Sequence, residues 1–136
     1  MKLWGIFFLI LGIGVGCKKN RMNLLSDRDI EVQVLKIEEA SQIYRVRILL
    51  SEGSIKEKNV RQEDMWYKTD SCFYLNYKGR ARSPVSIEPI SNGLKNIYEY
   101  LVAFDEMTEI DGERMEFIYR DKFINKRTYK ISLEND

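Results

Sequence analysis

Tyr44, Val46, Ile48 and Leu50 occupy every second position of one stretch, with Arg45, Arg47 and Leu49 between them. In an extended chain successive side chains point to opposite faces, so this spacing gathers four large apolar groups on one side of a strand. A helix would scatter the same residues around its circumference. The pattern recurs along the chain. Ile30, Val32 and Val34 alternate with Glu31 and Gln33 and run on into Leu35-Lys36-Ile37, with a bulge expected near Val34-Leu35. Met115, Phe117 and Tyr119 alternate, with Ile118 on the opposite face, and Tyr129, Ile131 and Leu133 alternate with Thr128 and Lys130. Ile97–Phe104 sets Tyr98, Tyr100, Val102 and Phe104 on one face and Leu101 and Ala103 on the other, as a strand inside a sheet does.

Turn residues separate these runs. Glu39-Ala40-Ser41 joins the first two into a hairpin, and Ser51-Glu52-Gly53-Ser54 turns after them. Ile55–Glu63 is highly charged and reads as a loop or one or two helical turns. Cys72–Tyr77 is a strand, Lys78-Gly79-Arg80 a hairpin turn, and Ala81–Ile90 the return, with Pro84 and Pro89 at edge positions or strand ends. Ser91-Asn92-Gly93 and Asp121–Lys126 turn the chain again. About seven short strands without a convincing amphipathic helix predict an all-β fold, an antiparallel immunoglobulin-like β-sandwich.

The N-terminus belongs to a different class. Leu3–Gly16 is an uncharged run behind Lys2, too short to cross a bilayer, for which roughly 20 apolar residues are needed. One positive charge, an apolar core and small residues at its end fit a secretory signal peptide. Gly14-Val15-Gly16-Cys17 resembles a bacterial lipobox, in which a cysteine follows small residues and becomes the lipidated first residue. Gly14 stands where the usual pattern has Leu or another bulky aliphatic residue. The resemblance implies residues 1–16 as a lipoprotein signal peptide, helical before cleavage, and Cys17 as the lipidation site; the alternative is an uncleaved N-terminal anchor helix with an incidental cysteine. Residues 17–28 then form a polar tether and 29–136 the sandwich. Lys18, Lys19 and Arg21 suit an anionic membrane surface. Surface-exported lipoproteins of the Bacteroidota often carry acids just after the cysteine. None occurs here before Asp27, which implies an outer-membrane anchor facing the periplasm. The stretch Asp70–Leu133, with its Gly turn and Tyr98-x-Tyr100-Leu101-Val102-x-Phe104, looks like the immunoglobulin-like domains of small bacterial envelope lipoproteins. That resemblance implies fold and location and transfers no functional residue.

Composition narrows function. Removing Lys2 with the signal segment leaves 21 basic against 21 acidic side chains. A nucleic-acid binder would show a concentrated basic field, so no nucleic-acid partner is expected. The chain has no histidine, which removes Ser-His-Asp and Cys-His catalysis, His-ligated zinc and His pH switching. Cys72 is left alone once Cys17 is acylated, and beside Phe73 it reads as a small core residue. Five acids in Asp105–Glu113 could bind calcium, yet the ligand ladder of an EF-hand loop is missing, and a solvated hairpin loop accounts for them. No catalytic residue, metal site or cofactor is assigned.

Met65-Trp66-Tyr67 is the candidate partner contact, because large aromatics often anchor interfaces. The plainer reading of the same residues is that Trp66 plugs one end of the core. The expected function is a lipid-anchored binding or structural module that docks another envelope protein and catalyses nothing. Alternatives are the small lipoprotein subunit of a type VI secretion membrane complex, which size, lipobox and fold also suit, and a small-ligand carrier. An enzyme would have to work with Asp, Glu, Ser, Lys or Tyr alone, and carboxyl groups with raised pKa in a pocket would mark it.

Overall fold

A computed structural model of the chain describes residues 22–37, 42–53, 61–105 and 115–133. The alternating runs are strands. In chain order they are β1 (Asn23–Ser26), β2 (Ile30–Lys36), β3 (Ile43–Leu50), β4 (Phe73–Tyr77), β5 (Arg80–Arg82), β6 (Ser86–Ile90), β7 (Ile97–Ala103), β8 (Met115–Arg120) and β9 (Thr128–Leu133). A short helix, α1 (Gln62–Tyr67), lies between β3 and β4.

All pairings are antiparallel. One sheet has the order β1-β2-β3-β7-β6, the other β5-β4-β8-β9. Leaving β1 aside, that is A-B-E-D over C′-C-F-G, the immunoglobulin-like arrangement. The inward residues pair as their spacing predicts: Val32 lies opposite Ile48, Val46 opposite Tyr100 and Phe117 opposite Ile131. Rings bridge the two sheets, Tyr44 to Phe117 at 5.6 Å and Phe73 to Tyr100 at 5.2 Å. Four buried tyrosine hydroxyls find partners, as a polar atom in a dry core must. Tyr44 donates to Gln42 Oε1 at 2.6 Å, Tyr119 to Asp121 Oδ1 at 3.0 Å and Tyr129 to Asp27 Oδ2 at 2.6 Å. Tyr100 donates to the Met65 carbonyl and so ties α1 to β7.

Four expectations are corrected. The sandwich begins at Asn23, inside the stretch read as tether, because β1 pairs with β2 from Asn23↔Val34 to Ser26↔Glu31. Asp27 makes that hairpin: its Oδ1 accepts from the amides of Asp29 and Ile30 at 2.9 and 3.0 Å. An edge strand with little to bury carries no alternation, so β1 leaves no trace in the pattern. Ala81–Ile90 is two strands, since the chain crosses at Pro84 from β5 in one sheet to β6 in the other. With β1 this gives nine strands among the described residues. No bulge interrupts β2, whose register with β3 runs unbroken from Ile30↔Leu50 to Lys36↔Tyr44. The last concerns Met65, treated with the candidate site below. Pro84 and Pro89 do sit at edges, and Lys78-Gly79 is a two-residue turn with φ of 51° and 75°, the left-handed geometry that hairpins of this length require. The signal segment 1–16, Cys17, the turn at 39–41 and residues 106–114 of the acidic loop lie outside the described residues.

Candidate functional site

The outward face of the five-stranded sheet departs from an ordinary solvated surface. Across β1, β2, β3, β7 and β6 the register places Leu24, Gln33, Arg47, Glu99 and Ile90 in one row. The next row is Leu35, Arg45, Leu101 and Glu88. Leu49 and Ile97 flank the first row, and Ile43 and Ala103 the second. The other sheet turns Tyr74, Asn76, Glu116, Ile118, Arg120, Thr128, Lys130 and Ser132 outward, a mostly polar set.

At the centre of this mixed apolar and charged face stands Glu99, only 1% exposed. Arg45 donates to its Oε2 through Nε at 3.0 Å and Nη2 at 2.7 Å, and Arg47 Nε lies 3.1 Å from Oε1. Asn92, from the loop before β7, donates to Oε1 at 3.2 Å and to the Ile97 carbonyl at 3.1 Å. Burial alone would raise the Glu99 pKa, but the hydrogen bonds from Arg45 and Asn92 and the two guanidinium charges outweigh it and hold the carboxylate below its ordinary range. One carboxylate between two half-exposed arginines leaves one positive charge on the cluster and fixes both guanidiniums in place. Beside it lies an open groove of about 210 Å³ lined by Met22, Gln33, Leu35, Arg45 and Arg47.

A second polar cluster ties β1 to the opposite sheet. Asp27 Oδ2 accepts from Tyr129 and faces Arg127 Nη1 at 3.4 Å. Burial raises the Asp27 pKa, and hydrogen bonds from Tyr129, the Ile30 and Asp29 amides and Arg127 bring it below its ordinary value. The buried Asp121 carboxylate accepts from the amides of Ile124, Asn125 and Lys126 at 2.6 to 3.0 Å and organises the β8–β9 turn. These are structural roles.

The aromatic triplet divides. Met65 is fully buried and cannot contact a partner, because its position on α1 points it into the core while Tyr67, two residues on, points out. Trp66 packs at the end of the core, 5.0 Å from the Tyr98 ring and 6.0 Å from Tyr100. Tyr67 is 74% exposed. Cys72 is buried, and burial, more than the nearby Asp121 and Asp70 and against Lys122, pushes its thiol up to about 11, the opposite of an activated nucleophile. Among the described residues no three Cys, Asp or Glu side chains gather where a metal ion could be held.

The Arg45–Glu99–Arg47 cluster is absent from the expectations of the sequence. Its signal is there: a single acid inside the two-sided apolar run Ile97–Phe104, and two arginines spaced by two in the strand with the cleanest alternation. Only the pairing of β3 with β7 brings them together. No protein-family model, no curated protein and no solved structure matches this chain.

Proposed function

We propose that this chain is a lipid-anchored, periplasm-facing β-sandwich that works by docking another envelope protein, with Cys17 as its lipidated residue. The observation that carries the binding role is the outward face of the five-stranded sheet. It holds part-exposed Leu49, Ile97 and Leu101 around a charge cluster whose geometry is fixed in advance. Such a face gives a partner apolar area to cover, with little side-chain ordering left to do on binding. The carboxyl chemistry supports the same reading. Glu99 and Asp27 are both held as anions, whereas an acid catalyst would need its pKa raised. The anchor rests on Leu3–Gly16 and Val15-Gly16-Cys17; among the described residues no helix is long and apolar enough to cross a membrane.

The test is photo-crosslinking in intact cells, with a photoreactive residue placed at Leu101 or at Tyr67. A discrete adduct with one envelope protein is expected at one or both positions, lost in Cys17→Ser, which no longer holds the chain at the membrane. Absence of adducts at both positions refutes docking. A mature chain whose intact mass shows an unmodified Cys17 refutes the anchor.

A further inference from the structure

Four of the seven large hydrophobic side chains exposed among the described residues lie at one margin of the molecule: Met22, Leu24 and Leu25 at β1, and Ile37 at the end of β2. Met22 and Leu24 are about half exposed, 50% and 51%. Met22 also lines the 210 Å³ groove, whose opposite wall is Arg45 and Arg47. Both guanidiniums are pinned by Glu99, yet each keeps terminal N–H groups beyond those bound to it. Apolar side chains edging a groove with two oriented guanidiniums form an amphipathic surface. Its natural complement has anionic, phosphate-like groups next to hydrocarbon.

The chain leading into this margin narrows the choice of occupant. Four residues separate Cys17 from Met22, and the five Cα-to-Cα steps between the two span at most about 18 Å when fully extended. Lys18, Lys19 and Arg21 lie within them, with no acid. Of the carboxylates on the margin itself, Glu99 is engaged by the arginines and Glu31 accepts from Gln33 Nε2 at 2.9 Å. In tether and groove Lys18, Lys19, Arg21, Arg45 and Arg47 outnumber the carboxylates Glu99 and Glu31, while the hairpin that closes β1 adds Asp27 and Asp29 against Arg28.

From the short tether, the clustered exposed hydrophobics and the paired arginines we infer that the β1 margin lies directly on an anionic bilayer. Met22 and Leu24 then enter the headgroup–acyl boundary, and Arg45 and Arg47 meet lipid phosphates. This rests on the acylation of Cys17 proposed above. The domain does not stand off on its tether: it is oriented edge-down, leaving the β7–β6 side of the same sheet and the Tyr67 end facing away from the lipid for a protein.

The test uses the full lipidated protein reconstituted into vesicles of phosphatidylcholine alone or of phosphatidylcholine with phosphatidylglycerol. A polarity-sensitive fluorophore sits at Leu24→Cys; acylated Cys17 and buried Cys72 leave that thiol as the one labelled. Flotation is measured on the same samples. The protein should float with both vesicle types, while the fluorophore shifts to the blue only with phosphatidylglycerol, and added salt should reverse the shift. One basic residue near an anionic surface is worth about fivefold in the docked-to-undocked ratio, the loss expected for Arg47→Gln. Met22→Ser should reduce the shift without touching any buried group, which keeps the test valid if Arg47→Gln misfolds. Lys130→Gln, on the opposite sheet, should change nothing. Equal emission in both vesicle types with intact flotation overturns the orientation and leaves the anchor standing. A blue shift with neutral vesicles on adding inorganic phosphate alone identifies a free-anion site and overturns it, as does a shift that requires an added acidic envelope protein. Failure to float overturns the anchor and the orientation together.

Discussion

Phe117 offers the most direct test of the packing. Its ring sits at the junction of the sheets, with centroids 5.6 Å from Tyr44, 6.0 Å from Phe73 and 6.1 Å from Phe104, and no part of it reaches solvent. Phe117→Ala removes the ring and leaves neighbours that cannot close the gap. Both flanking strands are held by their ladders, and the three rings pack against further residues. Phe-to-Ala changes in cores cost about 3–5 kcal/mol. Area gives a similar figure: burying roughly 150–250 Å² at about 25 cal/mol per Å² contributes about 4–6 kcal/mol, of which alanine retains a part. Three lost ring–ring contacts place the expectation toward the upper end, about 4 kcal/mol. A domain of about 110 residues has a total stability of roughly 6–16 kcal/mol, so the variant keeps a fraction of it. Urea unfolding of the chain from residue 17 onward, carrying Cys17→Ser, measures the loss; with a slope of about 1–3 kcal/mol per molar, the midpoint should fall by roughly 1.3–4 M. Lys130→Ala, exposed on the outer face of the four-stranded sheet, should stay within about 0.5 kcal/mol of the parent. If Phe117→Ala shifts the midpoint no further than Lys130→Ala, the sheets do not pack across this ring and the sandwich core is misassigned.

Three further outcomes are expected. Glu99 and Asp27 have folded-state pKa values below their ordinary 4.5 and 3.8, so the stability they contribute is complete above those values and lost as pH falls through the lowered ones. Acid unfolding should therefore set in below about pH 4.5, and Glu99→Gln should flatten that limb while lowering stability at neutral pH, by about 2 kcal/mol because its arginine partners stay half in water. The thiol of Cys72, raised to about 11, should resist alkylation at pH 8 in the folded Cys17→Ser chain and react fully in urea; alkylation at equal rates in both states would remove Cys72 from the core. Gly79, at φ +75°, should lose roughly 1–2 kcal/mol on change to Ala, whereas Gly53→Ala, with open space around it, should be near neutral; equal effects would contradict the turn geometry.

The parts of the fold legible in the sequence were those in which local pattern and tertiary demand coincide. Every strand that buries one face and wets the other announced itself, from Ile30, Val32 and Val34 to Tyr129, Ile131 and Leu133. The parts that stayed hidden have a common cause. β1 buries almost nothing, so it leaves no alternation. The division of Ala81–Ile90 depends on which sheet each half joins, a choice made by partners far along the chain rather than by the residues themselves. The Arg45–Glu99–Arg47 cluster is likewise a product of register, since Glu99 and Arg47 are opposite one another only because β3 pairs with β7 in that one alignment. A slip of one residue would put Glu99 opposite an inward-facing position and bury an unpaired charge.

That dependence gives the cluster a role in register besides the binding proposed for it. The five-stranded sheet is apolar on much of both faces, and such a sheet is weakly protected against register error, because a one-residue shift still finds apolar partners on each side. A buried carboxylate that is satisfied only when Arg45 and Arg47 flank it penalises the shifted pairing by the desolvation of an unmatched charge. The four-stranded sheet has no such need: Tyr74, Glu116, Arg120 and Lys130 mark its wet face plainly. A sheet apolar on much of both faces thus requires an internal pin, and Glu99 supplies it. Glu99→Leu separates the two roles. Removing the charge would leave a face still able to bury area against a partner but lacking its register pin, so the variant should show slower or heterogeneous refolding by stopped-flow fluorescence of Trp66. Refolding identical to the parent in rate and amplitude would show that register is set elsewhere.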